Sequence, residues 1–358
     1  LYYAYINKKE SKMSIQIYQW SVIGAGPAGI ASVGLLLDAG VAPQEILWVD
    51  PEFKVGDFGA KWGEVSSNTS VKLFKEFLLN IKSFNYSSRD RQFNIDKLPD
   101  NGFCQLKNVA EPLQYITDHL RTKINTVSGF VTNLQVLSGC WNFTIAGAIY
   151  MAQKVILATG SDPRDLVANA KNISLCTALT PKKLSDAVKS TDRVAVFGSS
   201  HSAMIIIKNL LDAGVAQVVN FYLTPIKFAI NMQNYILYDN SGLKGETAIW
   251  THHNITQTLH PRVTRYIASE DNVEKALPLC DKVVYAIGFK SRAPHIADFN
   301  VHSYDVSNGI IAPGLFGAGI AFPKQVTDPN GNKELNVGLW KFMCDIQQML
   351  PIWFKYNI

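Results

Sequence analysis

One six-residue run occurs twice in this chain. Leu36-Leu37-Asp38-Ala39-Gly40-Val41 returns as Leu210-Leu211-Asp212-Ala213-Gly214-Val215. Each copy follows a turn of small residues, Gly24-Ala25-Gly26-Pro27-Ala28-Gly29 in the first case and Gly198-Ser199-Ser200-His201-Ser202-Ala203 in the second. One offset of 174 residues aligns turn and helix end alike. A β-favouring apolar run precedes each turn, Ile15 to Ile23 and Val194 to Phe197, and a second one follows each helix. Buried apolar strands alternating with amphipathic helices specify an α/β fold on parallel sheets. The chain therefore predicts two strand–turn–helix units of one design.

The first turn matches the glycine pattern that holds the pyrophosphate of a dinucleotide. Gly24 permits the tight turn, Gly26 lets the backbone approach phosphate, and Gly29 lets the helix pack on the strand. Pro27 suits the first helical position, beside Ala28, and the helix start offers free N–H groups to an anion. Asp50 ends the next strand, where a carboxylate accepts from ribose hydroxyls. A glycine turn that only packs a helix on a sheet leaves Asp50 unexplained. The second turn keeps Gly198, puts Ser200 and Ala203 for the other glycines, and adds Ser199, His201 and Ser202. After a two-residue gap Tyr222 falls opposite Asp50. A carboxylate there repels a 2′-phosphate, so its absence, with Lys227 nearby, leans to NADPH over NADH. A decayed turn that binds nothing is the other reading. His201 is either a phosphate contact or a polar helix-start residue. Arg262 and Arg265 are either anion contacts or surface charge. Adjacent His252 and His253 in extended chain point apart and make no metal pair; no metal is expected.

The order of elements places about 13–165 and 281–358 in a first, discontinuous domain, with 166–280 inserted as the second. Residues 51–103 and 224–265 read as irregular, a helix is expected over 111–122, and short alternating strands over 129–150 read as a β-meander. Residues 1–12 read as an N-terminal extension, with Met13 the expected start. A chain of 358 residues with 47% hydrophobic and 18% charged residues supports two globular cores. Its net charge of +5 is spread along the sequence, so no nucleic-acid partner is expected. No run is long enough to span a membrane. Cys104, Cys140, Cys176, Cys280 and Cys344 form no Cys-x-x-Cys pair and fit a reducing, cytoplasmic setting.

Five landmarks in order carry a resemblance: Gly24 to Gly29, Val155 to Gly160, Gly198 to Ala203, Val283 to Gly288, and Gly314 to Gly319. Together they resemble the flavoproteins with two Rossmann-like dinucleotide-binding domains, the pyridine-nucleotide-dependent FAD oxidoreductases. The resemblance covers nearly everything after Met13. It implies FAD on the first turn and NADPH or NADH on the second. It places Thr159-Gly160 and Gly288 at the crossings between domains, and Gly317, Gly319 and Ile320 near the flavin's ribityl chain. The stretch Gly56 to Asn68 resembles the flavin-containing monooxygenase branch and nominates Trp62, Asn68 and Thr69 as flavin neighbours; for Trp62 the alternative is core packing, and for Asn68 or Thr69 a plain turn residue. Phe58, Trp62, Phe316 and Phe322 are either a water shield for the flavin or core.

Three departures qualify this. A redox Cys pair is absent, which removes the dithiol disulfide-reductase mechanism. The motif F-x-G-x-x-x-H is absent from 165–193. Ile320 stands where the family has Asp. The expected function is an oxidoreductase whose FAD is reduced by NAD(P)H and passes electrons to a small organic substrate or oxygen. The alternative is a non-catalytic or regulatory flavin- or nucleotide-binding protein with a degenerate second site. A homodimer is expected to use the apolar tail Leu350 to Phe354, unless that tail closes the first domain.

Overall fold

The computed structural model describes residues 16–166 and 170–358. The expected extension and the start at Met13 lie outside the described residues.

The first unit runs β1 (Ile17–Ile23), helix α1 (Pro27–Asp38) and β2 (Ile46–Asp50). Strands β3 (Asn125–Ser128), β4 (Asn133–Leu137), β5 (Cys140–Ile145) and β6 (Ala148–Leu157) complete most of a nine-stranded sheet. β1 pairs in parallel with β2 on one side and β6 on the other. β4, β5 and β6 form the expected meander, antiparallel throughout. β6 is one ten-residue strand where the sequence pattern suggested two. Its first half pairs with β5, and its second half, Val155 to Leu157, pairs in parallel with Leu315–Gly317. α1 is buried almost all round because it lies between the sheet and the C-terminal helix Leu339–Lys355. Trp353 of that helix is fully buried and stacks on Phe316, ring centroids 5.0 Å apart. The apolar tail thus closes the first core.

A second, five-stranded sheet is parallel throughout: Val263–Ile267, Gln217–Tyr222, Arg193–Phe197, Lys282–Tyr285 and Lys171–Asn172. The expected boundary at 281 put Lys282–Tyr285 in the outer domain. It pairs instead beside Arg193–Phe197, because its alternate residues Val283 and Tyr285 fill one core face of this sheet and Val284 the other. The helix His201–Asp212 covers one face. Two short strands, Ser161–Pro163 and Phe289–Ser291, run antiparallel and carry the chain out of and back into the first sheet's part of the molecule.

Several segments are more regular than expected. Within 51–103 lies the helix Val71–Asn80, whose residues Val71, Phe74, Phe77 and Leu78 face the first core. The helix expected at 111 begins at Lys107, four residues earlier, and carries Pro112 inside it. Residues Gly245–Thr251 are α-helical and continue as a π-helical turn, His252–Gln257. His252 and His253 are therefore not in extended chain: their Nδ1 atoms meet Thr256 Oγ1 at 3.2 Å and Gln257 Oε1 at 3.0 Å. No helix among the described residues is long and apolar enough to cross a membrane.

Candidate functional site

The repeated run folds the same way twice. In the first copy Gly40 N–H donates to Leu37 O (3.0 Å) and Val41 N–H to Leu36 O (3.1 Å); in the second Gly214 donates to Leu211 O (3.1 Å) and Val215 to Leu210 O (3.3 Å). Gly40 and Gly214 take the left-handed φ, +88° and +79°, that ends such helices. The turns match as closely. Gly24 N–H donates to Val49 O at 2.7 Å and Gly198 N–H to Phe221 O at 2.8 Å. The helix-capping residues Gly26 and Ser200 share one conformation, φ −75°, ψ 178° and φ −80°, ψ 178°. This register puts Tyr222 at the place of Asp50, and Asn220 at the place of Trp48. Those last two do one job: Trp48 Nε1 donates to Gly24 O (2.9 Å) and Asn220 Nδ2 to Gly198 O (2.8 Å). Each fixes the turn's first carbonyl from below.

The first turn's glycines divide by cause. A Cβ on Gly24 would lie 2.2 Å from Ala158 O, and one on Gly29 1.9 Å from Gly24 O, so both are demanded by packing. A Cβ on Gly26 would meet nothing within 4 Å. Gly26 therefore borders open space at the start of α1, which has Pro27 first, no capping side chain and no acid in its first turn. Unfilled N–H groups over an open cradle fit a pyrophosphate. Gly56 (φ +55°) comes so close to Gly26 that its Cβ would lie 3.1 Å from Gly26 Cα. Gly319 (φ +74°) abuts Ala28, where a Cβ would sit 2.5 Å from the Ala28 methyl. The landmark at the chain's far end thus reaches the first turn, and Ile320 packs on the first core. Gly317 is hemmed in by Phe322.

Asp50 is buried and already engaged. Its carboxylate accepts from Ala25 N–H (2.7 Å), Glu52 N–H (2.9 Å) and Phe53 N–H (2.7 Å). A carboxylate has about four acceptor sites, so one remains for a ribose hydroxyl. Asp50 first of all ties β2 to the glycine turn.

The Thr159-Gly160 crossing is pinned by Arg292, a residue the sequence pattern did not single out. Arg292 Nη2 donates to Asp57 Oδ2 at 2.9 Å and Asp162 Oδ1 at 2.6 Å, and Arg292 N–H to Gly160 O at 2.9 Å. Thr159 Oγ1 donates to Arg292 O. The guanidinium holds the Asp162 carboxyl below its ordinary range. Gly288 (φ +91°) shapes the return crossing, and its carbonyl accepts from Arg164 N–H at 3.0 Å.

The three nominated flavin neighbours separate. Trp62 is half-buried, packs on the second unit's core and stands edge-on to Phe289 at 6.4 Å. Asn68 is exposed and Thr69 half-buried. Thr69 Oγ1 is the atom nearest Gly338, whose Cβ would lie 3.9 Å from it, and Gly338 (φ +128°) starts the C-terminal helix with no capping side chain. Phe316 and Phe322 are core, and Phe58 packs on the first core.

Behind this helix start lies an ionic cluster that periodicity does not reveal. Lys341 Nζ reaches Asp239 Oδ2 and donates to Asn240 Oδ1, both at 2.6 Å, and Lys244 also pairs with Asp239. Burial pushes the Lys341 pKa down. Glu334 accepts from Asn240 N–H (3.0 Å) and Ser241 N–H (3.1 Å). The cluster ties residues 239–244 to 334–341.

In the second unit, Ser199 Oγ donates to Thr224 O (2.8 Å) and no acid occupies the helix's first turn. A Cβ on Gly198 would lie 2.3 Å from Ala286 O, the counterpart of Gly24 against Ala158. Ala203 is fully buried, and Ser202 half-buried. Arg262 is structural: Nη1 and Nη2 donate to Val215 O (2.8 Å) and Leu211 O (3.0 Å) at the helix end. Arg265 stacks on the Tyr222 ring at 4.4 Å, donates from Nε to Asn220 Oδ1 at 2.9 Å, and keeps Nη2 buried without a partner. His201 is the first residue of its helix, as one of its two readings had it. Its ring lies against the backbone of Ser66 from the other unit; burial pushes its pKa down to about 4, a hydrogen-bonding approach of the Ser66 backbone works the other way, and Lys244 adds a smaller push down.

No cluster of His, Cys, Asp or Glu among the described residues is placed to hold a metal. All five cysteines are free.

No protein-family model matches the chain. The monooxygenase AgnR1 of Paecilomyces divaricatus is 30% identical over 380 aligned positions, covering 93% of this chain and 97% of that protein. Among solved structures, a flavin-containing monooxygenase from Stenotrophomonas maltophilia aligns with a TM-score of 0.64 at 16% identity, over 96% of this chain and 99% of that one. The bacillithiol disulfide reductase Bdr from Staphylococcus aureus aligns at 0.59 with 12% identity, over 94% and 99%. The thioredoxin reductase of Lactococcus lactis aligns at 0.56 with 12% identity, over 95% and 98%. These structures share the two-domain Rossmann-like fold.

Proposed function

This chain belongs to the family of the monooxygenase AgnR1, and from that premise we propose that it is an FAD-dependent oxidoreductase whose flavin is reduced by NADPH and serves a small organic substrate, in the manner of a monooxygenase. One observation carries the reading: the same turn is built twice on matching backbone hydrogen bonds, each before a helix whose start has no capping side chain. Two such turns in one chain fit two dinucleotides.

Bound FAD would accept a hydride from the nicotinamide and pass electrons onward; the protein supplies binding and orientation. Gly24, Gly26, Pro27, Ala28 and Gly29 would receive its pyrophosphate, and the remaining acceptor site of Asp50 a ribose hydroxyl. Thr159, Gly160, Gly317, Gly319 and Ile320 line the route beyond. Asn68, Thr69 and the start of the C-terminal helix are assigned to the flavin ring, with the helix dipole favouring negative charge there. Trp62 is assigned to the seam between units and not to the flavin. Gly198, Ser199, Ser200, Ser202, Ala203 and Gly288 would serve the second dinucleotide. Tyr222 in place of a carboxylate, with Arg265 beneath it, supports NADPH over NADH. Strand pairing supports a revised division, with about 163–288 inserted between 16–162 and 289–358. The sequence holds no Cys-x-x-Cys pair for a dithiol mechanism.

The test is anaerobic. Protein loaded with FAD is mixed with NADPH or NADH while the flavin's visible band is followed. Bleaching, faster with NADPH, is expected. Bound FAD that neither coenzyme bleaches would overturn the proposal in favour of a binding protein.

A further inference from the structure

His201 occupies the first position of the second unit's helix, where the first unit has Pro27. A helix asks nothing polar of that position, so the imidazole is not there for the helix. Both ring nitrogens are buried and neither makes a well-formed hydrogen bond, the Ser66 backbone being the one polar group that approaches in weak hydrogen-bonding fashion; among the described residues no other side chain leaves two atoms in that state. Each unmet nitrogen costs the fold its lost hydration. The ring lies against Ser66, two residues before Asn68 in the loop that leads to Thr69, and Lys244 approaches it from the second unit's own chain.

Resting on the coenzyme reading above, we infer that His201 is a contact for the nicotinamide-riboside half of the coenzyme, reached when the Gly63–Ser67 segment draws back from the ring. The chemistry selects that half. A neutral imidazole offers one N–H and one lone pair. A phosphate brings acceptors only and would leave the lone pair unmet. A ribose hydroxyl or a primary carboxamide both donates and accepts, and so satisfies the ring completely. The location agrees. His201 faces the other unit's flavin-side loop, and the nicotinamide riboside is the portion of the coenzyme that must run from the second turn toward the flavin. The unmet nitrogens make the closed seam costly by themselves, so the ligand that pairs them also favours the opened arrangement.

Two probes separate the halves of the coenzyme. NADP⁺ carries the nicotinamide riboside and cannot reduce the flavin; adenosine 2′,5′-bisphosphate lacks it. Both are titrated calorimetrically into the FAD-loaded full chain, as wild type, His201→Phe and His201→Asn. Phe keeps bulk and removes both nitrogens; Asn restores one donor and one acceptor. His201→Phe is expected to weaken NADP⁺ at least tenfold, to leave the bisphosphate unchanged, and to raise the urea midpoint of the ligand-free protein. His201→Asn is expected to recover NADP⁺ binding to within threefold of wild type. Unchanged NADP⁺ binding by His201→Phe, equal weakening of both probes, or a lowered midpoint in His201→Phe would each overturn the inference. A wild type that binds neither probe overturns the coenzyme reading and this inference with it, whereas a binding wild type with an indifferent His201→Phe overturns the inference alone.

Discussion

Two glycines three residues apart, Gly26 and Gly29, are expected to fail in opposite ways when each receives one methyl. At Gly29 the new Cβ would sit 1.9 Å from Gly24 O, well inside contact distance. That carbonyl cannot swing aside without breaking the bond from Trp48 Nε1 at 2.9 Å and shifting Gly24, which is itself pressed against Ala158. Overpacking against fixed backbone costs about 3 kcal/mol. At Gly26 the Cβ would meet nothing within 4 Å, and φ −75° suits alanine. Alanine caps a helix less well than glycine but restricts the unfolded chain, so the net change is within about 1 kcal/mol. The methyl does enter the space assigned to the pyrophosphate, and a weakening of at least a hundredfold, about 2.7 kcal/mol, is expected there. The assay is urea unfolding of the FAD-stripped protein, followed by titration of FAD into each refolded variant with flavin fluorescence as the readout. Gly29→Ala should lose stability before cofactor is considered; Gly26→Ala should fold like wild type and fail to hold FAD. A folded Gly26→Ala that binds FAD within threefold of wild type, or a Gly29→Ala as stable as wild type, would refute the division of the glycines by cause.

Gly40→Ala and Gly214→Ala should each cost about 1 kcal/mol for the left-handed conformation, and equally, since both glycines have open space around them; urea midpoints of the two variants that differ widely would break the equivalence of the helix ends. His201 has a folded pKa near 4 against an ordinary 6.5, so the unfolded chain takes up its proton first and stability is lost as pH falls from 6.5 toward 4, by up to about 3 kcal/mol. The His201→Phe protein should lack that component of the pH-dependent unfolding curve. Arg292→Ala should cost about 1 kcal/mol, discounted for the partial exposure of the guanidinium. Asp162 is held below its ordinary range by Arg292, so this contribution is full above the ordinary carboxylate pKa and disappears as pH falls through the lowered one; comparison of wild-type and variant stability at pH 7 and in strong acid checks it.

What the sequence made legible is what short-range geometry controls. A glycine turn and a glycine-ended helix are specified within a few residues of themselves, so both units, their register and the place of Tyr222 opposite Asp50 could be read from spacing. The strand Lys282–Tyr285 could not be placed, because a short apolar strand looks the same in either sheet and only its partners decide. The helix Val71–Asn80 hid among polar turn residues on both sides. Arg292 was invisible for another reason: its partners Asp57 and Asp162 are far away in the chain, and nothing local marks an arginine that will bridge them. His201 shows the same limit at the site itself. Its place in the turn was legible, but its burial against Ser66 is a fact of how the two units meet. Asp50 was read as a ribose acceptor, and the three backbone N–H groups that occupy most of it depend on the path of the loop after β2.

The antiparallel pair Ser161–Pro163 and Phe289–Ser291 bears on how independently the two units can vary. Its register sets Ser161 opposite Ser291 and Phe289 opposite Pro163, so the strand that leaves the first sheet and the strand that returns to it stand side by side, about 5 Å apart. Everything threaded between them enters and exits through one narrow doorway. A change in length or sequence between the two ends therefore leaves the first sheet's pairing undisturbed. The two turns, unlike in five of their six residues, keep one backbone path, and they sit on opposite sides of that doorway.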